Sequence, residues 1–237
     1  MKVPWNGALP APGIRTIREM RSVLADPMCM ATDPLYYMYR DLARSDADRR
    51  WLSRNLLRYD ITVIPPNDLC GEHVKTKGHY HPDNPAGAGY PELYEVVEGT
   101  AQFLLQSRRL DDVILVIAGT GARVIIPPGY GHISINPSPD AALVMANLVS
   151  TAFESEYGEY ETFHGAAYYV MSDGRIIKNP HYPDMPPVRK VAAVKGQGTA
   201  GHACTGSIYD LIGDRDTLAF LNEPEKYPAV FTGLLKD

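Results

Sequence analysis

Three histidines and one glutamate stand in two separated segments of this chain, and they constrain the fold more than any other feature. The first segment runs from Gly78 through His79, Tyr80, His81 and Glu92 to Gly99, and the second contains Gly121, Pro127, Gly129, His132 and Asn136. Three imidazoles and a carboxylate hold a divalent metal ion and leave coordination positions open for a substrate. The sequence therefore predicts a fold that brings both segments to one metal site.

The spacing of the first segment is typical of β-strands. Residues two apart on a strand point to the same face, so we expect His79 and His81 to project together. Glu92 is predicted at the start of the next strand, where an antiparallel partner brings it opposite the histidines.

The second segment places its histidine after a rigid turn. His132 follows a Pro-Pro-Gly sequence that fixes the backbone before the ligand and limits the entropy lost on metal binding. Ser134 and Asn136 lie on the same face of the predicted strand. We expect these two side chains to donate hydrogen bonds around the ligands.

From about residue 59 the chain consists of short runs rich in Val, Ile, Thr and Tyr, separated by Pro, Gly, Asn and Asp. The predicted strands are 59–64, 71–76, 90–98, 100–106, 113–117, 122–126, 131–136 and 142–149, followed by a hairpin of 166–170 and 174–177. Many short strands at close spacing indicate an all-β sandwich or barrel. Helices are predicted at 14–24, at 45–57 with Ser45 at its start, and near 206–222.

This pattern divides the chain into an N-terminal arm with helices (1–57), a β-barrel (58–177) and a C-terminal extension (178–237).

The net charge of −5 argues against a nucleic-acid surface. The N-terminus lacks the apolar core of a signal peptide, and no run of about 18–20 apolar residues predicts a membrane span, so we expect a cytoplasmic protein. Cys29, Cys70 and Cys204 are odd in number and widely spaced, which predicts reduced thiols.

The second segment resembles the cupin superfamily, whose pattern G-x5-P-x-G-x2-H-x3-N it fits without a gap from Gly121 to Asn136. The first segment has an inserted loop at 82–89. Within the cupins, residues 76–81 (Thr-Lys-Gly-His-Tyr-His), 90–94 (Tyr-Pro-Glu-Leu-Tyr) and 62–66 (Thr-Val-Ile-Pro-Pro) resemble the cupin-type glucose-6-phosphate isomerase family. This resemblance covers about residues 55–177. It implies a cupin fold, the double-stranded β-helix or jelly-roll barrel, with N- and C-terminal extensions that contain short helices.

The resemblance also implies roles for individual residues. The metal ligands would be His79, His81, Glu92 and His132, binding one Fe(II), or Zn, Mn or Ni, per subunit. The phosphate of a sugar phosphate would be bound by Thr62, Thr76 and the backbone of Gly78. The cavity would be lined by Tyr94, which with Glu92 is a candidate catalytic residue, and by Tyr157, with Tyr90 nearby. Two positions depart from the family pattern: Ser155 stands where the family has His, and Val149 where it has Tyr. His164 is a candidate replacement for the missing imidazole.

The implied reaction is the metal-dependent interconversion of glucose 6-phosphate and fructose 6-phosphate, a step of glycolysis and gluconeogenesis. In a proton-transfer mechanism Glu92 is the base, whereas a hydride shift would need no base; the sequence leaves both open. Two other functions also stay open, an Fe(II) cupin dioxygenase and a non-catalytic sugar-binding cupin. Exposed sheet edges favour pairing of subunits, so a homodimer is expected. His202 and Cys204 are not expected to form a second metal site.

Overall fold

The computed structural model describes residues 3–193 and 206–234. In chain order the strands are β1 (Gly13–Arg15), β2 (Tyr36–Tyr39), β3 (Leu57–Ile64), β4 (Glu92–Glu98), β5 (Thr100–Ser107), β6 (Val113–Gly119), β7 (Arg123–Ile126), β8 (Tyr130–Ile135), β9 (Leu143–Ser150), β10 (Tyr168–Val170), β11 (Ile176–Lys178) and β12 (Arg189–Ala193). The α-helices are α1 (Ile17–Met20), α2 (Asp46–Arg54), α3 (Gly158–Thr162), α4 (Arg215–Leu218) and α5 (Pro228–Phe231). Short 3₁₀ helices span Arg21–Val23, Ile208–Leu211, Ala219–Leu221 and Pro224–Lys226.

Two sheets form the body of the protein. The larger has the strand order β1-β2-β3-β9-β4-β7 and the smaller β12-β6-β5-β8. Apolar side chains from both sheets, including Val96, Phe103 and Leu105, belong to one buried cluster. The all-β prediction is therefore confirmed.

The outer face of the larger sheet is also covered. Tyr59, Ile61 and Val63 of β3 point into a second apolar cluster, where they meet Leu52 of α2 and Phe220 near the C-terminus. Because side chains alternate along a strand, the intervening residues of β3 face the inside of the barrel. Burial on both faces explains why β9 is buried at every position.

Several sequence predictions match the observed elements. Ser45 caps α2, since its side chain accepts a hydrogen bond from the backbone N–H of Asp48. The hairpin predicted around Gly174 is confirmed as the antiparallel pair β10 and β11. The single helix predicted near 206–222 is instead three short pieces, the four-residue α4 and two 3₁₀ turns. No described helix is long and apolar enough to cross a bilayer.

Other predictions about local structure were wrong. The helix predicted at 14–24 is only α1 and a 3₁₀ turn, because residues 13–15 form the edge strand β1 paired with β2. The strand predicted at 71–76 makes only isolated bridges, since Cys70 and Gly71 have φ values of 58° and 95° and turn the chain there. The short strands β2 and β12 were not predicted.

The prediction of reduced thiols was wrong for two of the cysteines. A disulfide joins Cys29 of the arm to Cys70 of the loop after β3, with Cα atoms 5.7 Å apart. Wide spacing in sequence did not show that the fold brings these residues together. Residues 202 and 204 lie outside the described part of the chain, and the division at 57 and 177 and the homodimer stay predictions.

Candidate metal centre

The two sheets bring the histidine segments together directly. His79 forms an antiparallel bridge with His132 of β8, with backbone N···O distances of 3.4 Å and 3.1 Å. His81 lies two residues further along the same face, as predicted. Glu92 is the first residue of β4. The fold thus brings the four candidate ligands together.

The four side chains converge on one point. Nε2 of His81 lies 3.2 Å from Nε2 of His79 and 3.4 Å from Oε2 of Glu92. Nε2 of His132 is also 3.4 Å from Oε2 of Glu92, and the candidate ligand atoms all lie within 4.8 Å of one another. Metal–ligand bonds of about 2.0–2.2 Å place neighbouring ligand atoms at about this separation.

The hydrogen bonds of the cluster fit a cation. Nδ1 of His81 is 2.8 Å from the carbonyl oxygen of Tyr90, and a carbonyl only accepts, so Nδ1 carries the proton of the neutral ring. Nε2 of His81 then presents a lone pair toward His79 and Glu92. Oε2 of Glu92 is buried and accepts no hydrogen bond from the described residues. Lone pairs that face one another at this distance repel, and a bound cation removes that repulsion.

Burial prepares the histidines to act as ligands. It lowers the pKa of His79 to about 3 and that of His81 to about 4, and it lowers the pKa of His132 well below its usual value. All three rings are therefore neutral at physiological pH, the state that binds metal. Burial also raises the pKa of Glu92 to about 8, although the positive charge of Arg58 opposes the shift.

A cavity of about 430 Å³ opens beside this cluster. That volume lies within the range of small-molecule sites. The predicted substrate residues Thr62, Thr76, Tyr94 and Tyr157 line it. The hydroxyl oxygen of Tyr94 is 3.1 Å from Nε2 of His132, so this phenol lies against the ligand cluster.

Two predicted substrate residues support the site from outside the cavity lining. Gly78 packs under Tyr160, and a Cβ at position 78 would lie 2.3 Å from that ring. Tyr90 stacks on Phe153 with ring centroids 4.8 Å apart, and its carbonyl orients His81. Neither residue belongs to the cavity lining, and the predicted phosphate contact of the Gly78 backbone and the predicted place of Tyr90 near the substrate stay predictions.

The two positions that depart from the family pattern, Ser155 and Val149, both line the cavity. His164 does not line it; its ring packs beside His181 with centroids 4.3 Å apart, so it supplies no imidazole there. Asn136 donates to the carbonyls of Ile64 and Ala141, which fixes the end of β8 rather than a ligand.

Sequence reasoning missed a set of charged residues in the cavity wall. Arg15 of β1 and Arg40 after β2 come from the arm. Arg58 and Asp60 share one face of β3 with Thr62. Asp60 and Thr62 share one face of the strand predicted at 59–64, which was a readable signal, whereas Arg58 lies just before the predicted start of that strand. The arm residues gave no comparable signal, since β1 and β2 are only three and four residues long.

A second layer of hydrogen bonds fixes the backbone between the first two ligands. The side chain of Tyr80 points away from the cluster, and its hydroxyl accepts from the fully buried Gln106 at 2.7 Å. Gln106 also donates to Tyr182 at 3.0 Å and accepts from the N–H of Ala167 at 2.8 Å. This buried network connects the ligand segment to the smaller sheet and to residues beyond it.

Two packed sheets with a three-histidine, one-glutamate cluster inside define a cupin with a candidate metal centre. The family model described as "Glucose-6-phosphate isomerase (GPI)" matches residues 14–187, and the chain belongs to this family. Its relatives include the glucose-6-phosphate isomerases of Thermococcus gammatolerans and Thermococcus onnurineus, 24% and 26% identical over 176 residues. Each alignment covers 71% of this chain and 86% of the relative.

Solved structures with a similar arrangement of strands include an oxalate oxidase and hazelnut vicilin. The oxidase is 14% identical, with a TM-score of 0.41, and the match covers 56% of this chain and 59% of that one. The vicilin is 17% identical, with a TM-score of 0.39, and the match covers 55% of this chain and 34% of that one.

Proposed function

We propose that the protein interconverts glucose 6-phosphate and fructose 6-phosphate at this centre. The observation that carries the proposal is the convergence of His79, His81, Glu92 and His132 beside a cavity of sugar-phosphate size, in a chain of the glucose-6-phosphate isomerase family. Family membership supports the choice of reaction, and the cluster of candidate ligands supports its location beside the cavity.

The same four residues would hold the ion, which we propose to be Fe(II), with Mn, Ni or Zn as substitutes. When bound, a divalent ion supplies Lewis-acid polarisation of a sugar carbonyl. The neutral histidines contribute no charge to the site, so Glu92 is the one ligand whose negative charge balances the ion. This charge distribution leaves the centre positive toward an anionic substrate.

Glu92 is the candidate base. Aldose–ketose isomerisation removes a proton from C2 and delivers it to C1, and a carboxylate at the reacting end of the cavity can carry that proton. Its pKa of about 8, raised by burial, falls when a cation binds beside it, which leaves the carboxylate ionised at neutral pH. A hydride shift would give Glu92 no proton to carry, so near-normal turnover in the variant Glu92→Gln would exclude Glu92 as the base.

The phosphate end of the substrate would lie away from the ligands. We propose that Thr62 and Thr76 contact the phosphate together with Lys77 and Arg15, which also line the cavity. The hydroxyl of Tyr36 accepts hydrogen bonds from Nε of Arg15 and from the backbone N–H of Lys77, both at 3.1 Å. Tyr36 therefore positions a guanidinium and an amide segment on the same side of the cavity.

The test is conversion of fructose 6-phosphate measured by coupled reduction of NADP⁺. The protein is treated with chelator, and Fe(II), Mn(II), Ni(II) and Zn(II) are then restored one at a time. We expect chelation to abolish turnover and at least one metal to restore it. Turnover that resists chelation would contradict the metal-dependent mechanism.

The matched variants are Glu92→Gln and Glu98→Gln, because both residues lie on β4 and Glu98 is exposed at its end. We expect the first to lose most turnover and the second to keep it. Oxygen consumption during turnover would instead indicate a dioxygenase. Stabilisation by sugar phosphates without turnover would indicate a binding protein.

A further inference from the structure

One wall of the cavity holds two guanidinium groups in fixed positions. The side chain of Asp60 is buried, with 6% of its surface exposed, and accepts a hydrogen bond of 2.8 Å from Nε of Arg58. Nη1 of Arg40 lies 3.7 Å from the same carboxylate, and the N–H of Asp41 donates to its other oxygen at 2.9 Å. Asp60 thus anchors both arginines, and one negative charge faces two positive ones.

The sheet register places Arg58 across from the metal ligands. In the pairing of β3 with β9, Arg58 is opposite Val149, and in the pairing of β9 with β4, Val149 is opposite Glu92. Directly paired residues project from the same face of a sheet, and neighbouring strands are about 4.8 Å apart. The Cα atoms of Arg58 and Glu92 are therefore separated by about 10 Å, with one short side chain between them.

The space above Val149 is part of the cavity, since Arg58, Val149 and Glu92 all line it. The hydrogen bond to Asp60 uses Nε of Arg58, and no hydrogen bond from its terminal nitrogens to a described residue is found. A long cationic side chain, held at its Nε, therefore offers two terminal NH2 groups to a ligand. Thr62 lies four residues from Arg58 on the same strand face, about 13 Å away, so the two contact opposite ends of a bound molecule.

We propose that Arg58 is a further catalytic residue, whose terminal N–H groups donate hydrogen bonds to the oxygens at C1 and C2 of the sugar phosphate as negative charge develops there. Asp60 and Arg40 are positioning residues for this contact. The proposal rests on the isomerase activity proposed above. It assigns the reacting end of the substrate to Arg58 and leaves the phosphate to the opposite end of the cavity.

The guanidinium of Arg58 keeps all its protons throughout the proposed reaction. The C2–H bond breaks, the proton goes to Glu92, and the electron pair forms the C1–C2 double bond while the C1 carbonyl pair moves onto O1. Arg58 donates a hydrogen bond to this oxyanion, which is the position where preorganised donors lower a barrier. The π pair of the C1–C2 double bond then takes the proton from Glu92 and forms the new C1–H bond. The O2–H bond breaks, its electron pair forms the C2 carbonyl, and its proton goes to O1, which gives the ketose.

The test compares two probes that share a phosphate and differ at the reacting end. Arabinonate 5-phosphate carries a planar anionic carboxylate there, like the oxyanion, whereas arabinitol 5-phosphate carries a neutral hydroxyl. Binding of both to the Mn(II)-loaded protein is measured by calorimetry. We expect Arg58→Met to weaken the aldonate about ten- to hundredfold, as for loss of one charge-assisted hydrogen bond, and to change the alditol less than about twofold.

Two further variants keep the result interpretable. Arg58→Lys retains the charge and is expected to recover part of the aldonate affinity, and Arg54→Met removes an exposed arginine of α2 without effect on either probe. The kcat of Arg58→Met should fall while the KM for fructose 6-phosphate changes little. If Arg58→Met does not fold, Arg58→Lys alone must still weaken the aldonate selectively.

Equal loss for both probes, or no loss for either, would overturn the role of Arg58 while the proposed isomerase stands. If the unsubstituted protein binds neither probe, the proposed isomerase fails, and the role of Arg58 fails with it.

Discussion

The pH dependence of metal affinity follows directly from the burial of the four candidate ligands. In the metal-free protein Glu92 has a pKa raised to about 8, so it is protonated below that pH and must release one proton when a cation binds. The pKa values of His79 and His81 are lowered to about 3 and 4, and that of His132 lies well below its usual value. Above about pH 5 the three rings therefore have no proton to release.

The expected magnitude is one proton per metal ion between pH 5 and pH 8. Each pH unit then changes the affinity about tenfold, or about 1.4 kcal/mol, so the affinity rises about a thousandfold over three units and levels off above pH 8. Three histidines with ordinary pKa values near 6.5 would instead make the slope steepen to about three below pH 6.5.

Free Mn(II) measured by electron paramagnetic resonance gives this slope without a competing chelator. Glu92→Gln should remove the pH dependence over this range and weaken binding at pH 8, whereas Glu98→Gln on the same strand should retain the slope. A slope near three below pH 6.5, or an unchanged slope in Glu92→Gln, would refute the assignment of the titrating group.

Three further predictions concern the support of the site. Gln106→Leu leaves the hydroxyl of Tyr80 and other buried polar groups without partners, so urea unfolding should show a loss of about 2–5 kcal/mol; a loss below about 1 kcal/mol would contradict this network. Cys29→Ser opens a loop closed over 41 residues and should cost about 4 kcal/mol; added reductant should lower the unfolding midpoint of the parent but not of the variant. Gly78→Ala places a methyl group 2.3 Å from the Tyr160 ring, so Mn(II) affinity should fall at least about tenfold, and unaltered affinity would show that the segment adjusts freely.

The candidate centre was predictable because its signal is local. His79 and His81 share a strand face by the two-residue period of a strand, and a turn of fixed geometry precedes His132. Such patterns can be read from a few neighbouring residues, without knowledge of the tertiary structure. Arg58 shares a face of β3 with Thr62, but the strand was predicted to begin at residue 59, so the rule did not reach Arg58.

The contribution of the arm was not predictable for a physical reason. Residues 14–24 alternate charged and aliphatic side chains at helical spacing, but β1 gains its stability from pairing with β2, a contact between residues 21 to 25 positions apart. The disulfide between Cys29 and Cys70 is likewise a product of tertiary structure. Local periodicity contains no information on either contact, so Arg15 and Arg40 could not be placed in the cavity from sequence.

The strand order of the larger sheet separates the arginines that the arm contributes to the cavity wall from the candidate metal ligands. Arg15 lies on the edge strand β1 and Arg40 directly after β2, whereas Glu92 lies on β4, three strands beyond β2 and next to the opposite edge strand β7, and His132 lies on the other sheet. β4 is paired on both sides, with β9 and with β7, whereas the described edge strand β1 is paired only with β2. We therefore expect substitutions at these outer positions to alter the cavity wall while the four candidate metal ligands keep their arrangement.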